Sequence, residues 1–204
     1  MNDLAYNLKT QLYNEYFIEL EKLLAEYHNK KTKISVGNRI GLSKDGSRLK
    51  SLVLGVRGPA FANKRKNKTL NPHLTLHTQT KIGHKIYELC YSIISMVYPS
   101  FDFNSIIINF NSMFTMHKDK KNLNNDSVIF SIGNHEGGGL EIFNDEKELI
   151  DTKYIKKYPT KFSGKTTYHA TEEFTGDRWC IVAYQIKVPY HYDPYEKELI
   201  SLKD

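Results

Sequence analysis

The chain has 204 residues, 40% apolar and 25% charged, with a net charge of +6; that is long enough for one domain around one core and too short for two ordinary ones. No low-complexity tract dilutes this balance, which excludes a disordered or fibrous chain. The longest apolar stretch, 86–98, contains Glu88 and falls short of the roughly 20 residues a bilayer span needs, and Met-Asn-Asp-Leu is not a secretory start, so an intracellular, soluble protein without membrane association is expected.

Along the chain, Leu8, Leu12, Tyr16, Leu20, Leu23, Leu24 and Tyr27 recur at three- and four-residue intervals, which predicts an amphipathic helix over 4–27. A β-rich stretch follows to residue 62, with a strand at 51–56 and glycine punctuation. Residues 63–71 are polar and basic and read as an exposed loop. Ile86, Leu89, Cys90, Ile93, Ile94 and Val97 then predict a second core-facing helix over 82–97, stopped by Pro99. Candidate strands come after it at 105–110, 114–117, 127–132, 139–143, 166–168 and 178–188. Two helices followed by short, regularly spaced strands predict an α+β fold: an antiparallel double-sheet jelly roll buttressed by the helices. The expected division is a helical and basic-loop portion at 1–100, a catalytic sheet core at 101–188 and a charged tail at 189–204. Cys90 and Cys180 sit in the apolar contexts Leu-Cys-Tyr and Trp-Cys-Ile and read as buried thiols.

A metal that must also bind a cosubstrate and dioxygen needs few protein ligands, and two histidines with one carboxylate leave three positions open. His117 and Asp119 are separated by one residue, so on extended backbone both side chains project to the same side. His169 supplies the third ligand from a distant β-like segment. A second His-x-Asp pair, His191 and Asp193, is followed by Pro194 and a tail without histidine or arginine, so it has no partners. Nine residues after His169, Arg178 opens the apolar run RWCIVAYQI, where its planar fork could pair bidentately with a dicarboxylate whose other end chelates the metal.

The residues that carry a family resemblance are IIINFNSMFTMHKDKKNLNNDSVIFSIGNHEGGGLEIF and FSGKTTYHATEEFTGDRWCIVAYQI. They resemble the iron(II)/2-oxoglutarate-dependent oxygenases, whose core is a double-stranded β-helix. The asparagines before HKDK, the polar NLNNDS, the SIG strand, the GGGL turn and the H-x-T-x-x-F-x-G-x-R ending look most like the TET/J-binding-protein group and its viral and phage relatives, which hydroxylate the methyl group of pyrimidine bases. The likeness spans 105–186. It implies Fe(II) held by His117, Asp119 and His169, with 2-oxoglutarate and O2 as cosubstrates. It also implies Arg178 as the clamp for the distal carboxylate of 2-oxoglutarate, and Asn109 as a cosubstrate contact, a core-edge role for Asn109 being equally open. One departure stands out: many relatives carry a hydroxyl residue two positions after the arginine, where this chain has Cys180. Gly137, Gly138 and Gly139 read as a hairpin turn or a close backbone approach.

Two clusters of positive charge suggest a polyanionic partner: Lys64, Arg65, Lys66 and Lys68 in the basic loop, and Lys118, Lys120 and Lys121 around the first metal ligands. Nucleic acid, DNA ahead of RNA, is the expected partner. The open alternatives are a protein or small-molecule hydroxylase, for which these lysines are only surface, and a non-catalytic nucleic-acid-binding module. Ligation requires neutral imidazoles, so activity is expected to fail below roughly pH 6.

Overall fold

The structure is a computed structural model that describes residues 3–29, 35–36, 42–44, 46, 49–57, 73–188, 190–196 and 198–201. The chain opens with α1 (Asp3–Asn29), passes through two strands to α2 (Lys81–Val97), and continues into further strands, which together build two facing sheets. The larger sheet runs β1 (Ser35–Val36), β2 (Lys50–Gly55), β3 (Ser105–Phe110), β11 (Trp179–Tyr184), β4 (Ser127–Ile132), β8 (Thr160–Phe162). The smaller runs β7 (Leu149–Lys153), β6 (Leu140–Phe143), β9 (Tyr168–Thr171), and an antiparallel bridge between His117 and His169 adds the 114–117 segment beside β9. From β3 onward the chain passes from the larger sheet to this segment, back to β4, across to β6 and β7, back to β8, across to β9 and back to β11. That alternation winds one polypeptide into a double-stranded β-helix.

β11 shows how the sequence sets the layers. Successive strand side chains point to opposite faces. Trp179, Ile181 and Ala183 join the core against the helices, while Cys180 belongs to a second cluster between the sheets, against which Val182 packs. α1 buries Phe17, Leu20, Leu24 and Tyr27, and α2 buries Ile86, Tyr87, Leu89, Cys90, Ile93 and Ile94. Thr80 caps α2 by accepting the Gly83 N–H at 3.1 Å. Leu12, expected on the α1 stripe, is exposed, and Phe17, a residue outside that stripe, is buried instead.

Several expected strands change extent. The strand expected at 139–143 is β6, and an unexpected strand before it, β5 (His135–Gly137), pairs with β10 (Phe174–Gly176) as a small separate ribbon. The 166–168 strand lies later, at Tyr168–Thr171, and the last core strand ends at Tyr184 rather than 188. The 114–117 strand is reduced to bridges at Phe114 and His117. Within the expected tail, β12 (Tyr190–Asp193) and β13 (Glu198–Ser201) form a hairpin, with Tyr192 buried in the helix-side core. The basic cluster Lys64, Arg65, Lys66 and Lys68 lies outside the described residues. Among those described, no helix is long and apolar enough to cross a membrane.

Candidate metal centre and cosubstrate cavity

His117 and His169 are held as a pair by their own backbones: the His117 N–H donates to the His169 carbonyl at 2.9 Å and the His169 N–H to the His117 carbonyl at 3.0 Å. Their ring centres lie 4.3 Å apart. Asp119, just past the bridge, is fixed by its N–H to the Gly164 carbonyl at 2.8 Å. Its carboxylate oxygens lie 3.7 Å from His117 Nε2 and 3.9 Å from His169 Nε2. One ligand atom from each of the three falls within 4.8 Å of the others.

Ring orientation decides whether these atoms can bind a metal. His117 Nδ1 lies 2.7 Å from the Thr115 carbonyl and His169 Nδ1 3.0 Å from the Thr167 carbonyl. A carbonyl only accepts, so each Nδ1 carries the proton and each Nε2 presents a lone pair toward Asp119. Carbonyls behind the imidazoles that fix this tautomer are a recurrent second layer of metal sites. Burial, and next the neighbouring His117, push the His169 imidazole below its ordinary value, which keeps the ring neutral as ligation requires. The donor set therefore fits a divalent cation such as Fe(II). Both carbonyls come from threonines two residues before the histidines, in Thr-Met-His and Thr-Tyr-His, a repeat visible in the sequence that the metal pattern alone does not call on.

The three residues open onto a cavity of about 120 Å³ between the sheets. Phe114, Ile129, Leu140, Phe162 and Val182 give it apolar walls, and Asn109, Asn122, Thr171, Cys180 and Tyr184 supply polar atoms. Sequence reasoning identified Asn109 among these and no other as a contact. Ser51 Oγ donates to Asn109 Oδ1 at 2.7 Å, so the amide's two N–H donors remain for the cavity. Asn109 is buried and pairs in register with Cys180 across β3 and β11.

Arg178 precedes β11 and is 1% exposed. It is not part of the cavity wall. Cys180, two residues on and therefore on the same face, occupies the wall; burial pushes its thiol up, and the neighbouring Arg178 charge partly offsets that. Arg178 Nη2 donates to the Gly138 carbonyl at 2.7 Å, and the guanidinium lies 5.2 Å from the Phe174 ring centre. Its Nε is buried with no hydrogen-bond partner among the described residues. A Cβ on Gly138, which has φ +77°, would come within 2.6 Å of that Nε, so this glycine is the close approach that the run of three suggested. A buried guanidinium with an unpaired N–H suits an anion, the demand a dicarboxylate would meet.

Of the lysines near the site, Lys118 is half-buried, paired with Asp145 at 3.2 Å and stacked 4.1 Å from the Tyr168 ring centre. Lys120 and Lys121 are exposed. His191 and Asp193 lie on β12, and Asp193 Oδ1 accepts the N–H groups of Tyr195 and Glu196. Asp193 is not part of a metal-ligating group among the described residues, and the His191 side chain lies outside them.

No protein-family description and no curated protein matches the sequence. Solved structures do match. A prolyl hydroxylase from Trichoplax adhaerens, in complex with a hypoxia inducible factor peptide fragment, aligns over 91% of this chain and 94% of its own, with a TM-score of 0.54 and 9% identity. A prolyl-4-hydroxylase from Pseudomonas putida aligns over 87% and 88%, with a TM-score of 0.47 and 11% identity. NgTET1 in complex with 5mC DNA aligns over 81% and 68%, with a TM-score of 0.45 and 14% identity. At these identities the likeness is one of fold: the chain has the double-stranded β-helix of the iron(II)/2-oxoglutarate oxygenases.

Proposed function

We propose that this protein is an Fe(II)- and 2-oxoglutarate-dependent dioxygenase that hydroxylates a C–H bond. The observation that carries the reading is the convergence of His117, Asp119 and His169 with both Nδ1 protons committed to carbonyls. The two Nε2 atoms and the Asp119 carboxylate would hold the iron. Arg178, with Asn109 beside Cys180, would receive 2-oxoglutarate. When bound, iron(II), 2-oxoglutarate and dioxygen supply the oxidising power that turns a C–H bond into C–OH, with release of succinate and CO2. The chain's own task is placement. The His117–His169 backbone pair fixes the imidazoles, the carbonyls of Thr115 and Thr167 keep their lone pairs forward, and the apolar walls limit water around the reacting groups.

The substrate we propose is the methyl group of a pyrimidine base in nucleic acid, supported by the sequence resemblance and by Lys120 and Lys121, exposed just past Asp119. A methyl group inside a duplex cannot reach a metal between two sheets, so the base would be flipped or presented on a single strand. The test is incubation of the Fe(II)-loaded protein with 2-oxoglutarate and, separately, DNA, RNA, a nucleoside mixture and proline-containing peptides. Succinate release with a gain of one oxygen on a base supports the proposal. Oxygen gained on a peptide instead makes the protein a peptide hydroxylase, and no binding of Fe(II) or 2-oxoglutarate removes the oxygenase reading altogether.

A further inference from the structure

Many relatives place a hydroxyl two positions after the clamp arginine; here that position is Cys180, a weak donor. The strand register supplies a substitute. Cys180 pairs directly with Ser131 of β4, and side chains of directly opposed residues share a face with Cβ atoms roughly 4.5–5.5 Å apart. Ser131 is therefore on the interior face next to Cys180, with Arg178 two residues along the same strand face. Ser131 is fully buried, and its Oγ has no hydrogen-bond partner among the described residues. Buried hydroxyls are ordinarily bonded, so this one is available to a ligand placed beside Cys180 and Arg178.

Three orphaned polar atoms occur in this part of the barrel: Ser131 Oγ, Arg178 Nε and His135 Nε2. Their chemistry separates them. His135 Nδ1 faces the Gly137 carbonyl at 3.0 Å, so it carries the proton and Nε2 is an acceptor, which a carboxylate would repel. Ser131 can rotate its O–H to donate, and Arg178 always donates.

Resting on the oxygenase reading above, we infer that Ser131 is a cosubstrate-binding residue that donates its hydroxyl to the distal carboxylate of 2-oxoglutarate beside Arg178, replacing from the neighbouring strand the hydroxyl that Cys180 lacks. The experiment is calorimetric titration of Mn(II)-loaded protein with 2-oxoglutarate, alongside titration of the metal-free protein with Mn(II). Ser131→Ala should weaken 2-oxoglutarate about tenfold, the loss expected for a hydrogen bond to a charged group, with Mn(II) affinity unchanged. The double change Ser131→Ala with Cys180→Ser returns a hydroxyl to the same face from the other strand and should recover most of the affinity, a rescue that a purely structural serine would not show. Wild-type affinity in Ser131→Ala, or no recovery in the double variant, overturns the role of Ser131 and leaves the oxygenase reading standing. A wild-type protein that binds Mn(II) but not 2-oxoglutarate defeats that reading itself.

Discussion

The backbones of His117 and His169 are each other's partners, with both N–H···O bonds of the pair formed at 2.9 and 3.0 Å. Fifty-one residues of chain lie between the two, yet each fixes where the other's ring begins. The candidate metal centre is therefore part of the sheet ladder, and the placement of its two rings comes from the same kind of bonds that pair the strands.

Alanine at His117, Asp119 or His169 should abolish high-affinity Mn(II) binding, read by calorimetry or by the loss of free-Mn(II) paramagnetic signal. Alanine at His191 should leave it intact, and so should alanine at Asp193, whose carboxylate serves the turn after β12. Ordinary metal affinity in the His169 variant would sink the assignment.

Arg178→Lys keeps the charge but removes the planar fork and the contact with Phe174. It should raise the Kd for 2-oxoglutarate at least tenfold, by the order of a lost charged hydrogen bond, with metal affinity spared. An unchanged Kd would mean that Arg178 serves only the β10–β11 corner.

Gly138→Ala meets Arg178 Nε at 2.6 Å from a backbone with φ +77°. A left-handed non-glycine residue plus a displaced buried guanidinium should cost on the order of 1–3 kcal/mol, seen as a fall in Tm, and cosubstrate affinity should drop with it. Alanine at Gly46, also left-handed but with nothing within 4 Å of its Cβ position among the described residues, should leave cosubstrate affinity unchanged.

Stability should depend on pH through the buried imidazoles. Burial lowers His77 and His135 below the ordinary value of 6.5. In the folded chain they stay neutral while in the unfolded chain they take up protons near 6.5, so below that pH the unfolded state binds more protons. Their contribution is fully present above pH 6.5 and is lost as pH falls toward the folded-state values. Denaturant midpoints of the metal-free protein should fall between pH 7 and 5.5, and His135→Gln should flatten that decline.

The elements that reach their counterparts are those whose burial leaves a continuous apolar mark on the sequence. α2 carries a clean stripe, β3 and β4 are short apolar runs buried on both faces, and all three lie almost where the sequence places them. β7 was illegible because its residues Leu149, Ile150, Asp151 and Thr152 are all exposed, so burial imposes no alternation on it. β8 and β10 have three residues each, too few for a period to register. The convergence of His117, Asp119 and His169 was legible because metal ligation restricts residue type. Ser131 was not, because a serine in an apolar strand carries no signal until the register sets it opposite Cys180. The cavity wall at Phe114, Leu140 and Phe162 belongs to the same class, being ordinary core residues by type.

The alternation along β11 divides the strand between two tasks, with Trp179, Ile181 and Ala183 sealing the helices and Cys180, Val182 and Tyr184 facing the cavity. Reading frame therefore matters more here than residue identity. A conservative replacement disturbs one task, whereas inserting or deleting a single residue exchanges both sets, driving the indole of Trp179 toward the cosubstrate and the Tyr184 phenol toward the helices. Over evolutionary time this strand can drift in sequence yet cannot change in length.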